Sequence, residues 1–259
     1  MPDKLLKDMN TSKILITLLT VAILFNIPAR GQSLRVLFIG DSVTDGGWGR
    51  SGGSAKPSKD RDLGDWNHIY GHSYMMMCAA ELESRYPERP YRFLNRGISG
   101  DDIGRLEARW QDDAIANAPD VLSLLEGTND IHYYLDRPEG DFDMDGWERR
   151  YRALLDRSLA ANSRMRIVLG TPFVAKAGWV GKADNYRMRD SLVSVMSDRI
   201  RQIAEDYDAT LVDYNALFAR LRDGKSDVSH WIWDGIHPTP AGHRRMADLW
   251  LKRTRKLTR

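Results

Sequence analysis

Leu34-Arg35-Val36-Leu37-Phe38-Ile39-Gly40-Asp41-Ser42 is the stretch whose reading decides the fold. From Val36 to Ile39 the run is uninterrupted branched and aromatic residues, which predicts a strand buried on both faces rather than one that alternates apolar with polar. Gly40, Asp41 and Ser42 end it in a turn that places a hydroxyl at the strand's carboxyl end. Four further short runs read the same way: Tyr91 to Leu94, Val121 to Leu125, Arg166 to Leu169 and Thr210 to Val212. Between them lie amphipathic stretches at His72 to Arg85, Asp101 to Ala116, Gly146 to Ala161 and Asn185 to Asp206, with a last helix from Pro240 to Lys252. Strands alternating with helices predict an α/β fold, a parallel sheet covered on both faces. Ligands of such sheets bind beyond the carboxyl ends of the strands.

The turns at those carboxyl ends are polar and glycine-rich. Gly40-Asp41-Ser42 comes after the first strand, Asn95 to Asp101 after the second, and Gly127-Thr128-Asn129-Asp130 after the third. These turns converge on one sheet edge, where glycine lets backbone N–H groups come close to a ligand, as an oxyanion site requires. A serine hydroxyl becomes a useful nucleophile only when a base takes its proton and a third group orients that base. Near the C-terminus, Trp231-Ile232-Trp233-Asp234-Gly235-Ile236-His237-Pro238 offers both, on a turn just before the last helix. Such a turn can bring the Asp234 carboxylate to His237 Nδ1 and leave Nε2 facing Ser42. Alone, Asp234 and His237 are as readily a helix-entry turn; with the polar turns they fit the roles of an acyl-transfer site. The expected roles are Ser42 as nucleophile, His237 as general base and Asp234 as its orienting acid.

These blocks resemble those of the SGNH, or GDSL-type, hydrolase family: Ile39 to Asp45, Asn95 to Asp102, Gly127 to Asp130, and Asp234 to Pro238, in the family's order. The resemblance implies a three-layer α/β/α sandwich with a flavodoxin-like, doubly wound parallel sheet of about five strands. It places the oxyanion donors at the Ser42 and Gly100 backbone and the Asn129 side chain, and calls for no metal and no organic cofactor. Asn95 to Asp101, Leu106 to Trp110 and Thr171-Pro172-Phe173 further resemble acetylxylan esterases and related carbohydrate acetylesterases. This implies removal of acetyl groups from sugars, with an acetylated sugar or short-chain ester as substrate. A lysophospholipase or thioesterase, and a non-catalytic carbohydrate-binding protein on the same scaffold, are the alternatives, and a polar loop from Thr44 to Tyr70 disfavours a long acyl channel.

The 259 residues, 42% of them hydrophobic, suit one catalytic domain over residues 32–259. With 38 Lys plus Arg against 36 Asp plus Glu, no strong field exists to attract nucleic acid. Lys4, Lys7 and Lys13, the apolar run Ile14 to Phe25, and Ala29 with Gly31 form a signal-peptide pattern over residues 1–31, starting at Met1 or Met9. Export to the periplasm or the medium is expected, without stable membrane insertion after cleavage; an uncleaved anchor is the alternative. A homo-oligomer is compatible with the sequence. Cys78, the only cysteine, reads as a buried inert thiol.

Asp41, Trp233 and Phe173 are the candidate substrate contacts. Trp48, Trp66 and Trp231 read first as packing residues, and Asp45 and Asp130 as caps of a helix or turn. Gly47 to Gly52 spells a dinucleotide fingerprint but leads into a loop, not a helix. Asp141, Asp143, Asp145 and Gly146 spell the start of a calcium loop, but Arg152 stands where the bidentate Glu belongs, so acidic capping of a helix explains the run.

Overall fold

Each apolar run forms a strand: β1 (Leu34–Gly40), β2 (Tyr91–Gly97), β3 (Val121–Leu125), β4 (Arg166–Gly170) and β5 (Thr210–Val212). They join in one sheet in the order β2-β1-β3-β4-β5, every neighbouring pair parallel. The structure is a computed structural model that describes residues 33–50, 55–222, 224 and 226–258. The leader pattern of residues 1–31 lies outside them.

β1 lies inside this sheet, paired on both sides, and Val36, Leu37, Phe38 and Ile39 have no exposed surface, which is why its sequence does not alternate. Leu37 and Ile39 face one helical layer: α3 (Ile103–Asp113), α4 (Thr128–Asp136), α5 (Met144–Ala161) and α7 (Tyr186–Asp206) supply Leu106, Trp110, Ile131, Leu154 and Ile200 there. Val36 and Phe38 face the other, built by α2 (Tyr74–Arg85), α8 (Tyr214–Arg222) and α9 (Pro240–Arg253) through Tyr74, Cys78, Phe218 and Trp250. The three-layer α/β/α expectation is met, and Cys78 is buried as expected. The two short helices are α1 (Ser42–Asp45) and α6 (Gly178–Lys182).

One fully buried indole in each layer finds a polar partner. Trp250 lies 4.8 Å from the Phe38 ring and donates to Ser123 Oγ at 3.0 Å. Trp110 donates to Ser158 Oγ at 3.0 Å. Each pair satisfies a donor that would otherwise be costly inside an apolar layer. Asp102, Asp143 and Thr239 cap α3, α5 and α9 with side-chain oxygens, so the acidic run near Gly146 acts as a helix cap.

The chain leaves β1 for β2 on one side and crosses back to β3 on the other. The resulting switch point opens a crevice between the carboxyl ends of β1 and β3, where α1 and α4 begin. Backbones approach closely there. A Cβ on Gly97, at the end of β2, would stand 2.4 Å from the backbone nitrogen of Asp45. We therefore expect Gly97→Ala to destabilise the fold by about 1–3 kcal/mol, the usual range for overpacking, read as a lowered urea midpoint; an unchanged midpoint would contradict this packing.

Candidate active site

Ser42 is the first residue of α1, and the cap before it is Asp41, whose Oδ1 accepts from Val43 N–H at 2.9 Å. This short helix turns the chain sharply off β1 and holds Ser42 Oγ 2.8 Å from His237 Nε2. On the far side of the ring, His237 Nδ1 lies 2.7 Å from Asp234 Oδ2. Asp234 Oδ1 accepts the backbone N–H groups of Ile236 at 2.9 Å and His237 at 2.7 Å. That leaves the ring proton on Nδ1, so Nε2 can accept from the serine hydroxyl. Three residues drawn from the two ends of the described chain thus stand as one hydrogen-bonded chain.

Electrostatics follow from this geometry. The hydrogen bond to Asp234 raises the His237 imidazole above its ordinary 6.5, against the opposing effect of burial. Burial would raise the Asp234 carboxyl, yet hydrogen bonds from the His237 ring and backbone and from Ile236 hold it below its ordinary value. The turn is fastened from outside: Thr239 N–H donates to Trp231 O at 2.9 Å, Ala175 N–H to Gly235 O at 2.9 Å, and Val180 N–H to Asp234 O at 3.2 Å.

Gly100 and Asn129 supply the remaining groups of the expected site. Gly100 has φ +86°, a backbone shape that favours glycine. Its carbonyl accepts from Tyr133 Oη at 2.7 Å and Arg105 Nη1 at 2.7 Å, which fixes the peptide orientation. Neither the Gly100 N–H nor the Ser42 N–H has a hydrogen-bond partner among the described residues. Asn129, on the first turn of α4, donates one Nδ2 hydrogen to Asp101 O at 2.7 Å and keeps the second.

Several expected residues do something else. Asp41 is 2% exposed and caps α1, and burial pushes its carboxyl to about 6; it is not a substrate contact. Phe173 is also corrected: it is 3% exposed, its ring 4.5 Å from Phe218, so it belongs to the core layer. Trp48 is fully buried beneath Arg61 and Arg96. Trp233 is 60% exposed and stacks on His237 with centroids 6.4 Å apart, so of the three candidate contacts it alone offers an exposed face beside the site. Asp130 does not cap the segment that follows it: it lies in the first turn of α4 and accepts from Ile103 N–H, at the start of α3, at 3.0 Å. Asp45 closes a turn by accepting from Gly47 N–H, but its larger role is different. With no exposed side-chain surface, it pairs with buried Arg61 and accepts both the N–H and the hydroxyl of Ser99, at 2.9 and 2.8 Å.

The sequence reading missed Arg61, Glu126, Tyr133 and Trp179. Glu126 is fully buried at the end of β3, where burial and the neighbouring Asp41 and Asp130 raise its carboxyl well above the ordinary value. An acidic residue closing an apolar strand is the one signal that could have marked it.

The family model for GDSL-like lipases and acylhydrolases matches residues 38–245. An acetylxylan esterase of Geobacillus stearothermophilus is 31% identical over 226 residues, covering 86% of this chain and 94% of the relative. An acetylxylan esterase of Xylanibacter ruminicola is 28% identical over 248 residues, covering 86% of this chain and 44% of the relative. Among solved structures, the Geobacillus stearothermophilus acetylxylan esterase Axe2 superposes with a TM-score of 0.70 at 29% identity, covering 86% of this chain and 94% of that one. LAE5, an alpha/beta hydrolase enzyme from the metagenome of Lake Arreo, does so with a TM-score of 0.70 at 27% identity, covering 87% and 98%.

Because Asp234 favours the imidazolium, NMR titration should place the His237 ring above the ordinary 6.5, and Asp234→Asn should lower it. A His237 that titrates no higher in the parent than in the variant would contradict the hydrogen-bond geometry.

Proposed function

The chain belongs to the family of GDSL-like lipases and acylhydrolases, and we propose that it removes O-acetyl groups from xylan or xylo-oligosaccharides through an acyl-enzyme on Ser42. It is a carboxylic ester hydrolase, by its family and its acetylxylan esterase relatives. The observation that carries the residue assignment is the unbroken hydrogen-bonded chain Ser42–His237–Asp234, accompanied by two free backbone N–H groups and a half-used amide.

In this reading Ser42 Oγ attacks the acetyl carbonyl while His237 Nε2 takes its proton, and Asp234 holds the imidazolium that forms. The carbonyl oxygen, now an anion, is held by the N–H groups of Ser42 and Gly100 and by the free Nδ2 hydrogen of Asn129. The tetrahedral adduct collapses as His237 returns the proton to the departing sugar oxygen. A water molecule then gives its proton to His237 and cleaves the acetyl-serine, releasing acetate and restoring the hydroxyl. Trp233, flat and exposed beside His237, offers a sugar ring an apolar face.

The loop after Ser42 favours a short acyl group. Trp48 fills its interior, with Arg61 4.5 Å and Arg96 5.2 Å from the indole centroid, which argues against a long apolar channel. The leader pattern of residues 1–31 supports an exported enzyme with one catalytic domain over residues 32–259. Among the described residues no helix is long and apolar enough to cross a membrane.

Acetylated xylan should release acetate in the presence of the mature chain, with a short p-nitrophenyl ester preferred over a long one, and both activities should vanish in Ser42→Ala. Long-ester preference would move the assignment to lipid or thioester hydrolysis, and activity surviving in Ser42→Ala would remove the nucleophile. Asn129→Ala should lower kcat by about 10²- to 10³-fold, the usual cost of one oxyanion donor; an unaltered kcat would remove Asn129 from the oxyanion hole.

A further inference from the structure

Beside this crevice lies a buried cation that no carboxylate among the described residues contacts. Arg189, on α7, is 2% exposed, and its Nε and Nη1 have no hydrogen-bond partner. Its remaining nitrogen, Nη2, lies 3.3 Å from His132 Nδ1. With Nδ1 accepting, the ring proton sits on Nε2, 3.8 Å from Asp136 Oδ2. Asp136 is the one carboxylate that acts on the guanidinium, and it does so from an exposed position across the imidazole ring. No ion pair to Arg189 is found among the described residues. A second buried polar atom four residues earlier, Asn185 Oδ1, is likewise unpartnered. A guanidinium removed from water and left without a contacting anion is a costly arrangement, and an anion that reached it would relieve that cost.

The cluster's position gives that anion a context. His132 stands three residues beyond Asn129 on α4. Trp179 on α6, 48% exposed, covers both groups, with its ring 5.6 Å from the His132 ring and 5.9 Å from the Arg189 guanidinium carbon. The residue before it, Gly178, packs on the acid turn: a Cβ there would lie 2.4 Å from Asp234 Cα. The cluster is thus fastened at one end to the helix of Asn129 and at the other to the turn of Asp234. An indole face suits a sugar ring, and a guanidinium suits a carboxylate far better than it suits a neutral hydroxyl.

We propose that Arg189, His132 and Trp179 form a subsite for a carboxylate-bearing sugar, so that the preferred substrates are acetylated oligosaccharides in which a uronic acid neighbours the acetylated residue. The uronate displaces Trp179 outward from its short helix, takes the unpaired Arg189 donors, and stacks on the indole. This rests on the deacetylase reading above.

The test compares kcat/KM for acetate release from an acetylated xylo-oligosaccharide carrying a glucuronic acid branch with that from its unbranched twin. Charge-assisted hydrogen bonds predict a preference of at least about tenfold for the acidic substrate. Arg189→Met should bring that ratio close to one. A ratio near one in the parent, or a preference retained in Arg189→Met, would overturn the subsite. A second measurement needs no variant: the deacetylated acidic oligosaccharide should inhibit p-nitrophenyl acetate hydrolysis more tightly than the deacetylated neutral one, and equal inhibition would overturn the proposal. If p-nitrophenyl acetate is cleaved but neither sugar is, the deacetylase reading fails, and the inhibition comparison still decides whether the acidic sugar binds.

Discussion

The site depends first on the carboxylate of Asp45. One fully buried side chain ties three segments together: its own turn through Gly47 N–H, the loop after Ser42 through Arg61, and the turn after β2 through Ser99. A buried ion pair by itself does little more than repay its own desolvation. Here the additional N–H and O–H donors complete the carboxylate's bonding, so its return lies in position as well as in stability. Ser99 precedes Gly100, and the orientation of the Gly100 N–H is inherited from it. Asn95 adds a parallel tie, donating to the carbonyls of Thr44, Asp45 and Tyr70 and accepting from Gly97 N–H at 2.9 Å. The serine-bearing turn and the glycine-bearing turn therefore move as one body.

Around this body the protein has gathered carboxyl groups that do not behave as ordinary acids. Burial raises Asp41 to about 6 and Asp130 to about 7, and it raises Glu126 well above its ordinary value. A row of ionised carboxylates behind an oxyanion hole would oppose the charge that forms there. Burial thus disfavours the charged form of Glu126, the direction that weakens this opposition, while its Oε1 accepts from Gly127 N–H at 3.0 Å, at the start of α4. Asp234 is the exception, held ionised by three hydrogen bonds beside the one group that must carry positive charge. Environment thus separates the acids by role.

Much of this was legible in the sequence, and for identifiable reasons. β1 could be read because a strand buried on both faces has to be apolar throughout, and its turn because a glycine and a serine after such a strand fall at the carboxyl edge. The helices α4 and α8, of nine residues each, were not read; α4 begins within the polar turn after β3, whereas α8 does carry a helical signal, Tyr214, Leu217, Phe218 and Leu221 at i, i+3, i+4 and i+7, that was passed over. Asp41 precedes the nucleophile and Phe173 follows β4, and nothing in their local sequence reports that the first turns inward as the cap of α1 and the second packs against Phe218. Arg61 and Arg189 were invisible for a different reason: nothing in a charged residue's local sequence reports that tertiary packing will bury it.

The central claim is that Ser42 carries the acyl group between its two owners, the ester and water. Quenching the enzyme in acid during turnover of p-nitrophenyl acetate and mapping its peptides by mass spectrometry tests this directly. The account predicts an acetyl group on the peptide containing Ser42, at that residue, absent when hydrolysis is allowed to finish. Turnover with no acetyl-peptide trapped at Ser42, or an acetyl group trapped on another side chain, would contradict it.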